Sequence, residues 1–283
     1  MVRAFVAHRD GRQDGGIDTD LARWAKIHNI RKFMLQYLLI LSERKAKKMP
    51  ENQFDVTEHF GTQYSSIYDN KIRKVIPGYQ AMHEMAQFLL ADNLPSSASI
   101  LVAGVGTGQE AISYATNHAE WHIIGFDPTE AMLSIASTRV RDLVLSDRIS
   151  LVQGFIDDVD VNQRFDAATS ILVMQFLPDN GEKQAYLKEI SKRLSVGAKF
   201  ILVDLEGDQC SDNFNLLMSA WKAHQYGTRE DTEQVKVDFE HINRDLHFVP
   251  SMRIEALLNN AGFTEVQKFY KAYLFGGYIA TKQ

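Results

Sequence analysis

The stretch Ile100-Leu101-Val102-Ala103-Gly104-Val105-Gly106-Thr107-Gly108 decides how this chain reads. Four apolar residues in a row suit a strand buried on both faces. Three alternate glycines follow at once, and a helical pattern opens at Glu110. A strand that runs through glycines into a helix leaves backbone N–H groups that no side chain screens, so a polar or anionic ligand can approach them closely. The next apolar run, His122 to Phe126, ends at Asp127, 19 residues beyond Gly108. A carboxylate there can accept from two vicinal ribose hydroxyls at once, so loop and acid together predict a nucleoside site.

Outward from this pair, short apolar runs alternate with amphipathic stretches to the end of the chain. Strands are expected at Ile100 to Ala103, His122 to Phe126, Ser150 to Val152, Ala167 to Leu172, Phe200 to Asp204, Val266 to Tyr273 and Tyr278 to Thr281. Helices are expected at Glu110 to Asn117, Glu130 to Val144, Lys183 to Leu194 and Met252 to Ala261, with Gly197 and Gly262 as stop signals. The pattern is that of an α/β, Rossmann-like, doubly wound, seven-stranded and mostly parallel sheet. Only Phe275-Gly276-Gly277 separates the last two runs, too little for a helical crossover. They should therefore form a C-terminal antiparallel hairpin.

Two regions lie outside this alternation. Residues 208 to 250 form a polar and aromatic insertion after the fifth strand, helical in part, placed where insertions cover active sites. Trp221, Tyr226, Phe214 and Leu216 could line an apolar acceptor pocket there, or could be ordinary contacts of a cap helix. Residues 1 to 96 read as an N-terminal helical extension or lid before a domain at 97 to 283. Within it, a mobile start is expected over residues 1 to 17, with order from near Asp18, helical spacing of the apolar positions from Leu21 to Leu41, and a further helix from Ala81 to Leu90.

Of 31 Lys/Arg and 36 Asp/Glu, residues 1 to 50 hold 11 and 5, so a basic segment precedes an acidic body. It reads as a solvated helix face, with attraction to RNA as the less favoured alternative. One cysteine, Cys210, excludes an intramolecular disulfide, and the nine histidines show neither H-x-x-x-H nor H-E-x-x-H. Asp157, Asp158 and Asp160 read as a solvated loop rather than a cation site, and no metal is expected. The chain shows neither a secretory leader nor an apolar run near the roughly 20 residues that span a bilayer, so a cytoplasmic location is expected, with no membrane partner. A homodimer stays open.

A dinucleotide loop would read G-x-G-x-x-G, with its third glycine where Gln109 stands. The shorter G-x-G-x-G suits a ligand with no pyrophosphate to wrap. At these residues the chain resembles the class I S-adenosylmethionine-dependent methyltransferases over residues 97 to 283. Leu101 to Gly108 looks like their first motif, Gly125 to Met132 like their second, and Phe165-Asp166-Ala167 with Gln175-Phe176-Leu177 like their fourth. The resemblance implies S-adenosyl-L-methionine as cofactor and methyl transfer to a small-molecule acceptor. It implies Gly104 and Gly106 against the methionine part, with Ala103, Val105 and Pro128 in the same cradle. Asp127 would take the ribose, Met132 would pack on adenine, Phe155 and Ile156 would flank the adenine edge, and Ile171 would lie near the methionine carboxylate.

A narrower similarity, to the carboxy-S-adenosylmethionine synthases of tRNA wobble-uridine modification, lies in Tyr68-Asp69, Ile76-Pro77-Gly78-Tyr79, Met174-Gln175-Phe176-Leu177 and Ala261-Gly262-Phe263. It implies a cofactor contact from Tyr79. Phe155 stands where that family has an acid, Ile171 where it has an asparagine, and Tyr226 near where it has an arginine, so the similarity points to shared fold rather than shared reaction. A non-catalytic cofactor-binding protein is a further alternative. No catalytic residue is assigned. If the acceptor must lose a proton, the candidates are His224, Tyr226, Tyr64 and Tyr68.

Overall fold

The computed structural model describes residues 55–61 and 65–283, which belong to the second of the two units into which the chain divides, Phe54–Gln283. The expectations for residues 1 to 53, and Tyr64, lie outside the described residues.

The decisive apolar run forms β1 (Ser99–Ala103), flanked on both sides by parallel neighbours, β2 (His122–Asp127) and β4 (Phe165–Ile171). With β3 (Ile149–Gln153), β5 (Leu194–Leu205), β6 (Phe263–Ala272) and β7 (Phe275–Lys282) they make one seven-stranded sheet, ordered β3-β2-β1-β4-β5-β7-β6. β7 lies between β5 and β6 and is antiparallel to both, so it alone runs against the rest. After a helical turn at Val56–His59 come α1 (Tyr68–Val75), α2 (Tyr79–Asn93), α3 (Gln109–Asn117) and α4 (Glu130–Asp142). Then follow α5 (Glu182–Lys192), α6 (Asp212–Thr228), α7 (Thr232–Asp245) and α8 (Ser251–Asn260).

Because both faces of the sheet are covered, its strands read as unbroken apolar runs. One core packs Ile100, Val102 and Ala167 under Met82, Ala86 and Leu90 of α2 and Ala111, Tyr114 and Ala115 of α3. The other packs Leu101, Ala168 and Phe200 under Leu187 and Ile190 of α5 and Ile254, Leu257 and Leu258 of α8. Burying each large aliphatic or aromatic side chain contributes about 1.5–3 kcal/mol relative to leaving it in water.

The terminal hairpin is present, but its turn is not at Phe275-Gly276-Gly277. The chain reverses at Tyr273-Leu274, with Tyr273 in the left-handed region at φ 47°. The two glycines lie inside β7 because other groups fill their side-chain space. A Cβ on Gly276 would come within 2.3 Å of Glu206, and one on Gly277 within 2.9 Å of Tyr270. The Glu206 carboxylate in that space accepts from Lys268, Lys271 and Tyr278. Gly197 is likewise not a helix stop: α5 ends at Lys192, and Gly197 falls inside the irregular start of β5, where the register with β4 shifts. Gly262, at φ 86°, does close α8 by donating to Asn259 O.

The insertion leaves and rejoins the sheet at one point, where Gly207 N–H donates to Val249 O (2.9 Å). Between these feet, Ser211 Oγ caps α6 by accepting from Phe214 N–H at 3.1 Å. The chain before β1 is tied to this cap and to the sheet. Trp221 Nε1 of α6 donates to Val75 O at 2.8 Å, and Tyr270 Oη of β6 donates to Pro77 O. Among the described residues, no helix is long and apolar enough to cross a membrane.

Candidate active site

Gly104, Gly106 and Gly108 all have positive φ, at 66°, 52° and 82°. An L side chain at any of the three would be strained. Their surroundings differ. A Cβ at Gly104 would strike Val173 Cγ2 at 2.4 Å, and one at Gly108 would press on Ala136 at 3.1 Å, so these two glycines let neighbouring elements close in. At Gly106 the nearest atom would be Gly104 O at 3.9 Å, so the loop faces open space there. Loop and acid meet directly: Asp127 Oδ2 accepts from Gly106 N–H (3.0 Å) and Oδ1 from Thr129 N–H (2.9 Å). Burial pushes the Asp127 carboxyl above its usual range, while those two N–H groups pull it back. A carboxylate has about four lone-pair sites. With one N–H on each oxygen, Asp127 keeps acceptor capacity for two ribose hydroxyls, so the residues present fit an adenosyl ligand.

The other expected contacts surround this cradle unevenly. Ala103 and Val105 are buried below the loop, and Val105 N–H donates to Phe126 O at 3.0 Å. Pro128 follows the acid half-buried, Met132 is buried in the first turn of α4, and Ile156 is buried in a 3-10 turn after β3. Phe155, beside it, is 59% exposed and presents its ring outward. Ile171 ends β4 half-buried. Tyr79, the first residue of α2, is buried, and burial followed by the Glu110 and Asp69 carboxylates pushes its phenol well up.

Two groups here had no role assigned from the sequence. Asp69 of α1 holds the glycine loop from outside, accepting from Thr107 Oγ1 at 2.7 Å and pairing with Arg139 at 2.6 Å. Glu110 lies buried under the loop in the first turn of α3, beside Thr169, and accepts from Tyr114 Oη at 2.9 Å. Burial pushes its carboxyl up to about 7, against the pull of those two hydroxyls. His83, half-buried one turn into α2, is pushed down to about 4 by burial and then by Arg73. No motif marks Glu110; its position two residues past a glycine loop, on the face that α3 buries, was the available signal.

Beyond the C-terminal ends of β4 and β5 lies a mainly apolar pocket. Its walls come from α1 (Ile72, Val75), the 3-10 turn after β4 (Phe176), β7 (Phe275), α6 (Trp221) and α7 (Ile242). Trp221 stands nearly perpendicular to Phe275, with centroids 5.0 Å apart. The polar groups around it are mostly paired: Lys71 with Asp238 (2.8 Å), Asp238 with Arg229 (2.6 Å), and His241 with Asp245 (2.7 Å). His59, stacked on His241 at 4.3 Å, is pushed down to about 4 by burial, with His241 and Lys71 adding to it. Of the residues expected to line an apolar pocket, Trp221 lines this one, as does Tyr68, a candidate for proton removal. Phe214 packs on Phe248 instead, and Leu216 is 67% exposed. Tyr226 is exposed and His224 lies near Tyr273, neither of them in the pocket wall.

Asp158 and Asp160 build turns. Asp158 Oδ2 accepts from Phe155 N–H (3.0 Å) and Asp160 Oδ1 from Asn162 N–H (2.9 Å).

A mostly parallel sheet, a glycine loop and an acid joined by a hydrogen bond, and an apolar pocket beyond the strand ends fit an enzyme that binds an adenosyl cofactor. The comparisons agree. Residues 100–198 match the family described as a methyltransferase domain. The carboxy-S-adenosyl-L-methionine synthase of Alteromonas mediterranea is 25% identical over 224 residues, covering 76% of this chain and 89% of that protein. That of Campylobacter jejuni is 24% identical over 241 residues, covering 83% and 97%. An O-methyltransferase family protein from Burkholderia thailandensis superposes with a TM-score of 0.54 at 12% identity, covering 89% of this chain and 70% of that one. The S-adenosylmethionine-dependent methyltransferase SibL, in its apo form, gives 0.51 at 15%, covering 72% of this chain; the match spans only 57% of SibL. At these identities the solved structures speak to fold. The methyltransferase domain at residues 100–198 and the shared fold support an S-adenosylmethionine-dependent methyltransferase, with S-adenosylmethionine as cofactor.

Proposed function

We propose that this enzyme transfers the methyl group of S-adenosylmethionine to a small-molecule acceptor bound in the pocket beyond β4 and β5. The hydrogen bond from Gly106 to Asp127 carries the reading, because it makes loop and acid two walls of one cradle. In it, Gly104 and Gly106 would face the methionine part, Asp127 the ribose, and Met132 and Ile156 the adenine. Ala103, Val105, Pro128, Tyr79 and Ile171 would shape the floor and the methionine end, and Phe155 the outer adenine edge. The cofactor supplies an activated methyl on a sulfonium. What the chain supplies is alignment and exclusion of water, worth up to about 7–11 kcal/mol when reacting atoms are held in line. The insertion at 208 to 250 and the segment before β1 would close over the acceptor.

Calorimetric titration with S-adenosylmethionine should show saturable binding, and Asp127→Ala should weaken it by about 100-fold or more, as loss of a bidentate charged contact does. Wild-type affinity in that variant would remove the ribose assignment. Turnover to S-adenosylhomocysteine with an acceptor from a broad screen tests the catalytic half.

The named relatives favour a second reading, production or use of a carboxylated cofactor. Against it, Phe155, Ile171 and Tyr226 stand at the three divergent positions. Arg229, the arginine of the insertion nearest in sequence to Tyr226, is buried and bound to Asp231, Asp238 and Gln225. Mass spectrometry of ligand retained through purification separates the two: a carboxylated cofactor would overturn the methyl-transfer reading.

A further inference from the structure

Among the described residues, two buried side-chain atoms in the wall of the acceptor pocket have no hydrogen-bond partner, Gln225 Nε2 and Gln175 Oε1. Gln225 is 0% exposed and Gln175 8%. The orientation of the Gln225 amide is set from behind. Arg229 Nη1 donates to its Oε1 at 2.8 Å, and a guanidinium, having only donors, cannot face the NH2 end. Nε2 is therefore the end left without a partner. A buried donor and a buried acceptor, both unsatisfied in one pocket, are costly in an empty site and become useful when a ligand completes them.

The rest of the lining narrows the ligand further. Phe176, Trp221 and Phe275 give flat apolar walls, which suit a ring. The Lys71 and Arg229 charges are answered by Asp238 and Asp231, and His241 is matched by Asp245. A charged acceptor would lose its water with no counter-ion waiting for it.

We propose that the pocket is built for an uncharged, ring-bearing acceptor that offers a hydrogen-bond-accepting oxygen to Gln225 Nε2 and a hydrogen-bond-donating group to Gln175 Oε1. This rests on the reading of the pocket as the methyl-acceptor site, and it adds the chemical class of the substrate. Gln225 and Gln175 thereby become specificity-determining residues. Arg229 becomes a positioning residue that acts through Gln225.

The test uses the full chain saturated with S-adenosylhomocysteine, whose binding is first confirmed by calorimetry. Umbelliferone, which has a ring, a carbonyl and a hydroxyl, is titrated in mildly acidic buffer where it is neutral. It is compared with coumarin, which lacks the donor, with β-naphthol, which lacks the carbonyl, and with naphthalene sulfonate, which adds a charge. Umbelliferone should bind about 10–100-fold more tightly than either neutral analogue, and the sulfonate should bind weakest. Gln225→Glu keeps the shape and the contact to Arg229 but replaces the donor with an acceptor. It should cost umbelliferone at least about tenfold and leave β-naphthol within about twofold. Gln175→Leu should erase the advantage of umbelliferone over coumarin. Equal affinities across the neutral probes, tighter binding of the sulfonate, no saturable binding of any probe, or an unaffected Gln225→Glu variant would each overturn the proposal. If S-adenosylhomocysteine binds with dependence on Asp127 while the probes fail, only the substrate class falls. If the cofactor itself does not bind, the proposed function falls first.

Discussion

The two halves of the site are made of different materials. The cofactor side is mostly backbone: three glycines at positive φ, a carboxylate held by two N–H groups, and close packing that a methyl group would break. The side where we propose the acceptor binds is mostly side chains, contributed by α1, the turn after β4, β7 and the two helices of the insertion. Backbone geometry can be kept through many sequence changes as long as the glycines stay. A pocket of side chains changes with every substitution. The first half is therefore suited to a constant ligand and the second to a variable one.

That contrast can be broken or sharpened by mutation, starting with the largest expected effect. Asp238→Ala should cost about 3–5 kcal/mol in thermal unfolding, because Arg229, only 2% exposed, would keep just the half-exposed Asp231 as a charge partner. If Asp238→Ala left the melting temperature unchanged, the ion pairs that tie α1 to the cap would not matter.

Glu110→Gln tests a charge buried under the cofactor loop. The folded carboxyl keeps its proton up to about pH 7, whereas the unfolded one releases it near the ordinary value of 4.5. Between those values the native state binds more protons, so stability contributed at low pH is lost as pH rises through this window. The variant should lack that loss and be the more stable protein above neutrality, by on the order of 3 kcal/mol. Asp204, pushed up to about 6 by burial, has the same sign and would keep part of the slope in both proteins. Chemical denaturation across this range reads the difference.

Gly104→Ala combines positive φ with a 2.4 Å approach to Val173, and should cost about 1–3 kcal/mol of cofactor affinity, of which Val173→Ala restores only the steric share. The smallest effect belongs to Trp221→Phe. It removes one hydrogen bond to Val75 O while keeping an aromatic wall, so about 1 kcal/mol of stability should go, with cofactor affinity unchanged. A change in S-adenosylmethionine affinity there would show that the halves are not separable.

Legibility in the sequence follows the same division. Strand, glycine loop and acid are local patterns, and the order of apolar runs was enough to place seven strands and the reversal at the end of the sheet. Phe275-Gly276-Gly277 misled because glycine serves turns and close packing alike, and only the folded position of Glu206 shows which applies. The acceptor wall was opaque for a different reason. Gln175 falls within a motif, but nothing joins it to Gln225, 50 residues further along, and a glutamine on a cap helix has no distinguishing pattern until its neighbours are known. Leu216 and Tyr226 sit on the same helix as Trp221 and resemble pocket residues in composition, yet the rotation of α6 turns them outward.

The contact between Gly207 and Val249 has a consequence for how such an enzyme can diversify. Because the excursion begins and ends side by side, its two joins to the chain of the sheet are adjacent, whatever lies between them. A longer, shorter or differently lined canopy can be grafted onto the same footing without moving a strand, and selectivity for new compounds can drift while the methyl donor's berth stays intact.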